Sequence, residues 1–93
     1  MGSKIDHCCH IGHNVTIGKH SIVTAGVTIA GSTKIGNYVW IGPNSIIREN
    51  IFIGDNAFIG MGSVVTKSVE NGWIVYGVPA KKIRKNDTIF GEY

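Results

Sequence analysis

A β-branched aliphatic residue stands at every sixth position of the chain, at Ile5, Ile11, Ile17, Val23, Ile29, Ile35, Ile41, Ile47, Ile53, Ile59 and Val65. Four places after each comes a small or β-branched residue, running from Cys9 and Val15 to Ser63 and Val69. The position directly after the aliphatic is glycine at Gly12, Gly18, Gly36, Gly42, Gly54 and Gly60. A helix repeats its apolar face about every 3.6 residues and a half-buried strand about every two, so a period of six fits neither a long helix nor a hairpin sandwich. It is the signature of stacked repeats, in which each unit buries its apolar residue only against its neighbours.

Each six-residue unit is read as one short strand and one turn. Three units close a triangular coil of about eighteen residues, and successive coils stack as parallel strands about 4.8 Å apart with the aliphatics inside. Asn14, Asn44, Asn50 and Asn56 fall three places after an aliphatic, where a corner can use the left-handed conformation that Asn and Gly tolerate. The predicted fold is therefore all-β, a parallel β-helix of hexapeptide repeats over residues 5–70. Residues 1–4 read as a leader or tag remnant, and residues 71–93 as a C-terminal cap and basic tail. Within that cap, Trp73, Ile74, Val75 and Tyr76 suit a capping strand, Pro79 turns the chain, and residues 80–85 read as a short helix or a basic loop.

Ninety-three residues make one small domain of marginal stability on its own, which points to a partner. Thirteen glycines, two prolines and 43% hydrophobic residues describe a tightly turned globular chain rather than a disordered one. No apolar run is long enough to span a bilayer and no apolar signal core opens the chain, so a soluble, cytoplasmic protein is expected. Cys8 and Cys9 are sequence neighbours, an arrangement that rarely closes a disulfide, and reduced thiols are the default. The net charge is +3, with Lys81, Lys82, Arg84 and Lys85 clustered after the repeats, which suggests an anionic ligand at that end. No recognition helix, zinc-finger spacing or stacking platform accompanies them, which argues against nucleic acid.

The four histidines, His7, His10, His13 and His20, all precede residue 21. His7 and His13 occupy the same place in consecutive units and so sit at neighbouring corners. Gly31 lies eighteen residues beyond His13, at the same corner one coil along, whereas His7 has Ala25 in that place. An imidazole beside an unhindered main-chain N–H is the minimal apparatus for acyl transfer: the imidazole takes a proton from the attacking amine or hydroxyl, and the amide stabilises the oxyanion of the tetrahedral intermediate.

The runs IDHCCHIGHNVTIG and TAGVTIAGSTKIG resemble the hexapeptide-repeat acyltransferases, both the UDP-glucosamine N-acyltransferases of lipid A synthesis and the acetyl-CoA-dependent acetyltransferases of bacterial amino-sugar and sialic acid pathways. The later run IGMGSVVTKSVENGWIVYGVPAKKIR is similar to the acetyl-CoA-binding end of many sugar and serine acetyltransferases. The resemblance implies a left-handed β-helix acting as a homotrimer, with active sites between subunits, acetyl-CoA as co-substrate, no metal, and a sugar or nucleotide-sugar acceptor. It assigns His13 as base and the Gly31 amide as oxyanion donor. Asn14 stands where the amino-sugar enzymes carry an acidic residue supporting the histidine, which leaves Asp6 as a substitute. Ile22 stands where those enzymes place a second histidine on the thioester, and Asn50 where the lipid A enzymes have another functional histidine. By the same resemblance Ala25, Pro43 and Met61 border the pantetheine arm, and Lys81 and Arg84 meet the nucleotide phosphates, a role that suits charge-assisted hydrogen bonds. The alternatives are N-acylation of the lipid A type from a hydroxyacyl carrier protein, or a truncated structural trimer that binds coenzyme A without efficient catalysis. A zinc enzyme of the γ-carbonic anhydrase kind needs converging imidazoles, and no histidine follows His20 to supply its widely separated ligands.

Overall fold

The structure is a computed structural model that describes residues 2–86, so of the expected cap and tail residues 87–93 lie outside the described part. Each six-residue unit forms one two-residue strand: β1 (Lys4–Ile5), β2 (His10–Ile11), β3 (Thr16–Ile17), β4 (Ile22–Val23), β5 (Thr28–Ile29), β6 (Lys34–Ile35), β7 (Trp40–Ile41), β8 (Ile46–Ile47), β9 (Phe52–Ile53), β10 (Phe58–Ile59) and β11 (Val64–Val65). Two longer strands follow, β12 (Trp73–Gly77) and β13 (Ala80–Lys85). Three sheets form the sides of a prism. Side A has the order β1-β4-β7-β10-β12-β13, side B β11-β8-β5-β2, and side C β3-β6-β9. Every pairing within the repeats is parallel and advances by eighteen residues, as in Ile5↔Val23 and Val23↔Ile41. This is the all-β parallel β-helix expected from the sequence, consistent with a left-handed coil.

The aliphatic column fills the prism. Val23, Ile29, Ile35, Ile41, Ile47, Ile53, Ile59 and Val65 are buried in one cluster, with Val27, Val39 and Ala57 of the four-after positions beside them. Ile11 and Ile17 pack only partly against this cluster and Ile5 is half exposed, because among the described residues the first coil is stacked on one side only. Where the four-after residue is polar it returns its hydrogen bonds to the main chain. Ser21 Oγ donates to the Gly36 carbonyl at 2.7 Å and accepts from the Val39 N–H at 3.0 Å. Thr33 Oγ1 donates to the Arg48 carbonyl at 2.7 Å. Among the described residues no buried side-chain nitrogen or oxygen lacks a partner, so these small hydroxyls complete the ladder at no desolvation cost.

The corners are made by a left-handed residue three places after each aliphatic from Ile5 to Ile59. Asn14, Asn44, Asn50 and Asn56 take φ near 60°, as expected, but Cys8, His20, Ser32 and Tyr38 take it too. For a side chain other than Asn, Asp or Gly this conformation costs about 1–2 kcal/mol, which the stacked hydrogen bonds on both sides of the corner must offset.

The repeat rule ends after Val65. Val69 bridges to Ile53 and Val75 pairs with Ile59, each sixteen residues on instead of eighteen. The capping strand over Trp73 to Tyr76 is present as β12, which adds a parallel rung to side A and buries Val75 over the prism end. Residues 80–85, however, are neither helix nor loop: β13 runs antiparallel to β12 from Gly77↔Ala80 to Trp73↔Lys85. Four basic side chains with Ile83 among them have no alternation to announce a strand. Its partner's open edge supplies the pattern instead. Lys82 and Lys85 lie over the Trp73 ring at 4.8 and 4.9 Å, and Lys82 Nζ reaches Glu70 Oε1 at 2.6 Å. Hydrogen bonding from Lys82 holds the Glu70 carboxyl below its ordinary value. Among the described residues no helix is long and apolar enough to cross a membrane.

Candidate active site

The three sides meet at three corner columns. The first holds His7, Ala25, Pro43 and Met61, between sides A and B; the second holds His13, Gly31 and Glu49, between sides B and C; the third holds Lys19, Asn37 and Asp55, between sides C and A. The stacking that the spacing predicts is confirmed by main-chain bonds: the Ser32 N–H donates to the His13 carbonyl at 2.8 Å, and the Asn50 N–H to the Gly31 carbonyl at 3.1 Å. His13 and Gly31 are thus brought together. A Cβ on Gly31 would meet the His13 carbonyl oxygen at 3.2 Å. The His13 side chain is exposed and makes no hydrogen bond among the described residues, so its imidazole is available to a substrate. Asn14 forms the left-handed turn after it, with φ of 61°.

Asp6 does not support His13. It pairs with its own neighbour, His7: the ring Nδ1 lies 2.7 Å from Asp6 Oδ1, and the His7 main-chain N–H donates to the same oxygen at 2.6 Å. These two bonds, the ring contact foremost, hold the Asp6 carboxyl below its ordinary value. The imidazole oriented by a carboxylate is therefore at the first corner, not the second. The signal for it was an aspartate directly before a histidine at the strand-to-turn junction. Cys9 is turned inward, its Sγ 3.1 Å from the Thr24 carbonyl, while Cys8 is exposed, and both thiols are free. Among the described residues no group of three or more His, Cys, Asp or Glu is placed to hold a metal ion.

The residues expected to hold the donor lie away from His13, and Lys81 lies apart from Arg84. Ala25, Pro43 and Met61 stack at the first corner, linked by the Asn44 N–H to the Ala25 carbonyl at 3.0 Å and the Gly62 N–H to the Pro43 carbonyl at 2.8 Å. Ile22 lies on side A beside them, in line with Trp40, Phe58 and Ile74. Trp40 and Phe58 are stacked at 4.5 Å between ring centroids. Above them a groove of about 490 Å³ is lined by Phe58, Gly60, Ile74, Tyr76, Ile83, Arg84 and Asn86. Lys81 is exposed on β13 and lines a different cavity of about 420 Å³, at the end of the prism, with Lys67, Lys82 and the apolar Val65, Val69, Val75 and Ala80. In a triangular section the second corner is opposite side A, so one chain does not bring the Arg84 groove to His13. Composition gave no hint of the aromatic pair or of the groove, because both arise only when residues eighteen and sixteen apart are stacked.

Fold and site together define a hexapeptide-repeat parallel β-helix with a histidine–glycine corner. The chain belongs to the bacterial transferase hexapeptide (six repeats) family, which matches residues 1–31 and 32–67. It is similar to a UDP-3-O-acylglucosamine N-acyltransferase of Methylobacterium sp. (strain 4-46), with 39% identity over 84 residues covering 90% of this chain and 24% of that protein. Among solved structures it is similar to an Arabidopsis UDP-N-acetylglucosamine acyltransferase, with TM-score 0.82 and 32% identity, covering 84% of this chain and 27% of that one. It is also similar to Neisseria gonorrhoeae serine acetyltransferase, with TM-score 0.80 and 33% identity, covering 95% and 40%. The chain spans about a quarter of the length of the curated relatives it matches.

Proposed function

We propose that this chain is the acyl-transferring β-helix of an acyl-CoA-dependent transferase, with acetyl-CoA as donor and an amino or hydroxyl group of a sugar or nucleotide sugar as acceptor. The observation that carries the reading is the second corner, where the main chain of His13, whose imidazole is exposed and unengaged among the described residues, stacks against Gly31 of the next coil. His13 takes the proton of the acceptor as its nitrogen or oxygen attacks the thioester carbonyl. The amide of the stacked Gly31 corner stabilises the oxyanion, and the intermediate collapses with expulsion of the coenzyme A thiolate, which receives the proton from the imidazolium. Asn14 sets the turn that presents His13. Ile22, Ala25, Pro43 and Met61 border the pantetheine arm, and Arg84, with Lys81, meets the phosphates.

Because the Arg84 groove and His13 face opposite directions on one chain, donor and base come from different copies, in a homotrimer with its sites between subunits. The apolar line Ile22, Trp40, Phe58 and Ile74 supports such an assembly, since an aromatic surface of this kind gains by being covered. We place the reaction in the cytoplasm, with which two free thiols agree.

The second reading is N-acylation of the lipid A type from a hydroxyacyl carrier protein, favoured by the 39% identity to a UDP-3-O-acylglucosamine N-acyltransferase. Turnover separates them. Release of coenzyme A from acetyl-CoA in the presence of glucosamine, its UDP derivative or a hydroxyl-only sugar is the expected result. Turnover only with a hydroxyacyl carrier protein would transfer the assignment to the second reading.

A further inference from the structure

The third corner shows what a corner amide of this fold does with an oxygen. The main-chain N–H groups of Lys19, Asn37 and Asp55 donate to the side-chain Oδ1 atoms of Asn37, Asp55 and Asn71, at 2.8, 2.8 and 2.9 Å. Each acceptor comes from the next coil. The residue before each of these donors is glycine, and a Cβ on Gly18, Gly36 or Gly54 would collide with that same Oδ1. A glycine followed by a corner amide is thus a cradle for one oxygen atom, open toward the next coil.

Six corner residues of the described chain follow a glycine, and His13 stands apart among them. Lys19, Asn37 and Asp55 have their cradles filled by the Asx oxygens. Pro43, after Gly42, has no N–H to offer. Met61 follows Gly60, against which the Tyr76 ring packs. His13 follows Gly12, and the residue one coil on is Gly31, which has no side chain to place there. A Cβ on Gly12 would stand 2.7 Å from the Gly31 nitrogen, which locates the cradle between the two glycines. Among the described residues the His13 N–H has no hydrogen-bond acceptor.

We propose that the His13 main-chain N–H is a further oxyanion donor, with its cradle between Gly12 and Gly31 left open for the thioester oxygen, so that one residue supplies both the base and part of the oxyanion hole. The inference rests on the acyl-transfer reading and gives Gly31 a second task, that of carrying no side chain. No atom is added to the reaction: the carbonyl oxygen gains charge as the acceptor attacks, is held by this N–H, and returns its electron pair as the carbon–sulfur bond breaks. Gly12 is a positioning residue, since it acts by leaving room.

The test rebuilds the third corner at the second. Gly31→Asn places a carboxamide where Asn37 has one, and Gly31→Ala adds a Cβ without the oxygen. With acetyl-CoA and glucosamine, Gly31→Asn and Gly12→Ala are each expected to lower kcat by about 10²–10³-fold, the cost of one oxyanion donor, with the acetyl-CoA KM little changed. Gly31→Ala should fall at least about tenfold less than Gly31→Asn. Amide hydrogen exchange supplies a readout independent of turnover: the His13 N–H should become protected in Gly31→Asn, as the Lys19 N–H is in the unmodified chain. Equal losses in Gly31→Ala and Gly31→Asn, or a protected His13 amide with undiminished kcat, would overturn the proposal while leaving the acyl-transfer reading intact. Full turnover by His13→Ala would instead overturn that reading.

Discussion

His13→Ala is expected to lose about 10²–10⁴-fold of acetyl transfer while remaining folded, measured as coenzyme A release at saturating acetyl-CoA with the fold checked by circular dichroism. The magnitude follows from what the site contains. The exposed Ser32 hydroxyl at the second corner makes no hydrogen bond to the His13 ring among the described residues, so it is not activated as a nucleophile and proton removal from the acceptor falls to His13. The fold should tolerate the change, because the His13 side chain is exposed and its main-chain carbonyl, which holds the Ser32 N–H, survives the substitution. His7→Ala is the informative companion. His7 and His13 stand at different corners of the prism, separated by strand β2, so the two substitutions probe different corners. Loss confined to His7→Ala would move the base to the corner where Asp6 already orients the ring.

Ile41→Ala should lower the unfolding free energy by about 2–5 kcal/mol, read from denaturant titration at constant m-value. Ile41 is fully buried, and its strand is flanked on side A by Val23 below and Ile59 above. In a solenoid each coil contacts only its neighbours, so a cavity at this rung weakens two interfaces at once. A domain of this size has a total of only about 5–15 kcal/mol, and the loss is a large share of it. Lys34→Ala, at an outward position of β6, should stay within about 0.5 kcal/mol. Equal effects at the two positions would contradict the inside–outside assignment of the repeat.

The inward positions were legible because a strict period of six leaves the stack one consistent register, and a single slip would turn aliphatics outward. The same register placed His13 under Gly31 and stacked Ala25, Pro43 and Met61, all before any distance was known. What it did not reveal depends on comparison between corners or on partners supplied by the fold. The strand β13 exists because β12 offers it an edge. The His7–Asp6 pair is a local contact that a stacking rule between coils does not see. Cys8, His20, Ser32 and Tyr38 are poor left-handed residues by local preference, and the neighbouring coils impose the conformation on them. The cradle at His13 is defined only by contrast with the filled corners at Lys19, Asn37 and Asp55, since a glycine alone announces nothing about the oxygen its neighbour lacks.

The central claim is that the acyl donor is delivered to His13, from a groove that its own chain carries on the opposite side. A crystal structure with coenzyme A bound tests it most directly. The account predicts the sulfur within about 4 Å of the His13 ring, near the distance of a reacting pair, with the phosphates against Arg84 of another copy. A sulfur resting beside His7 and Asp6 on the same chain that holds the phosphates would contradict it.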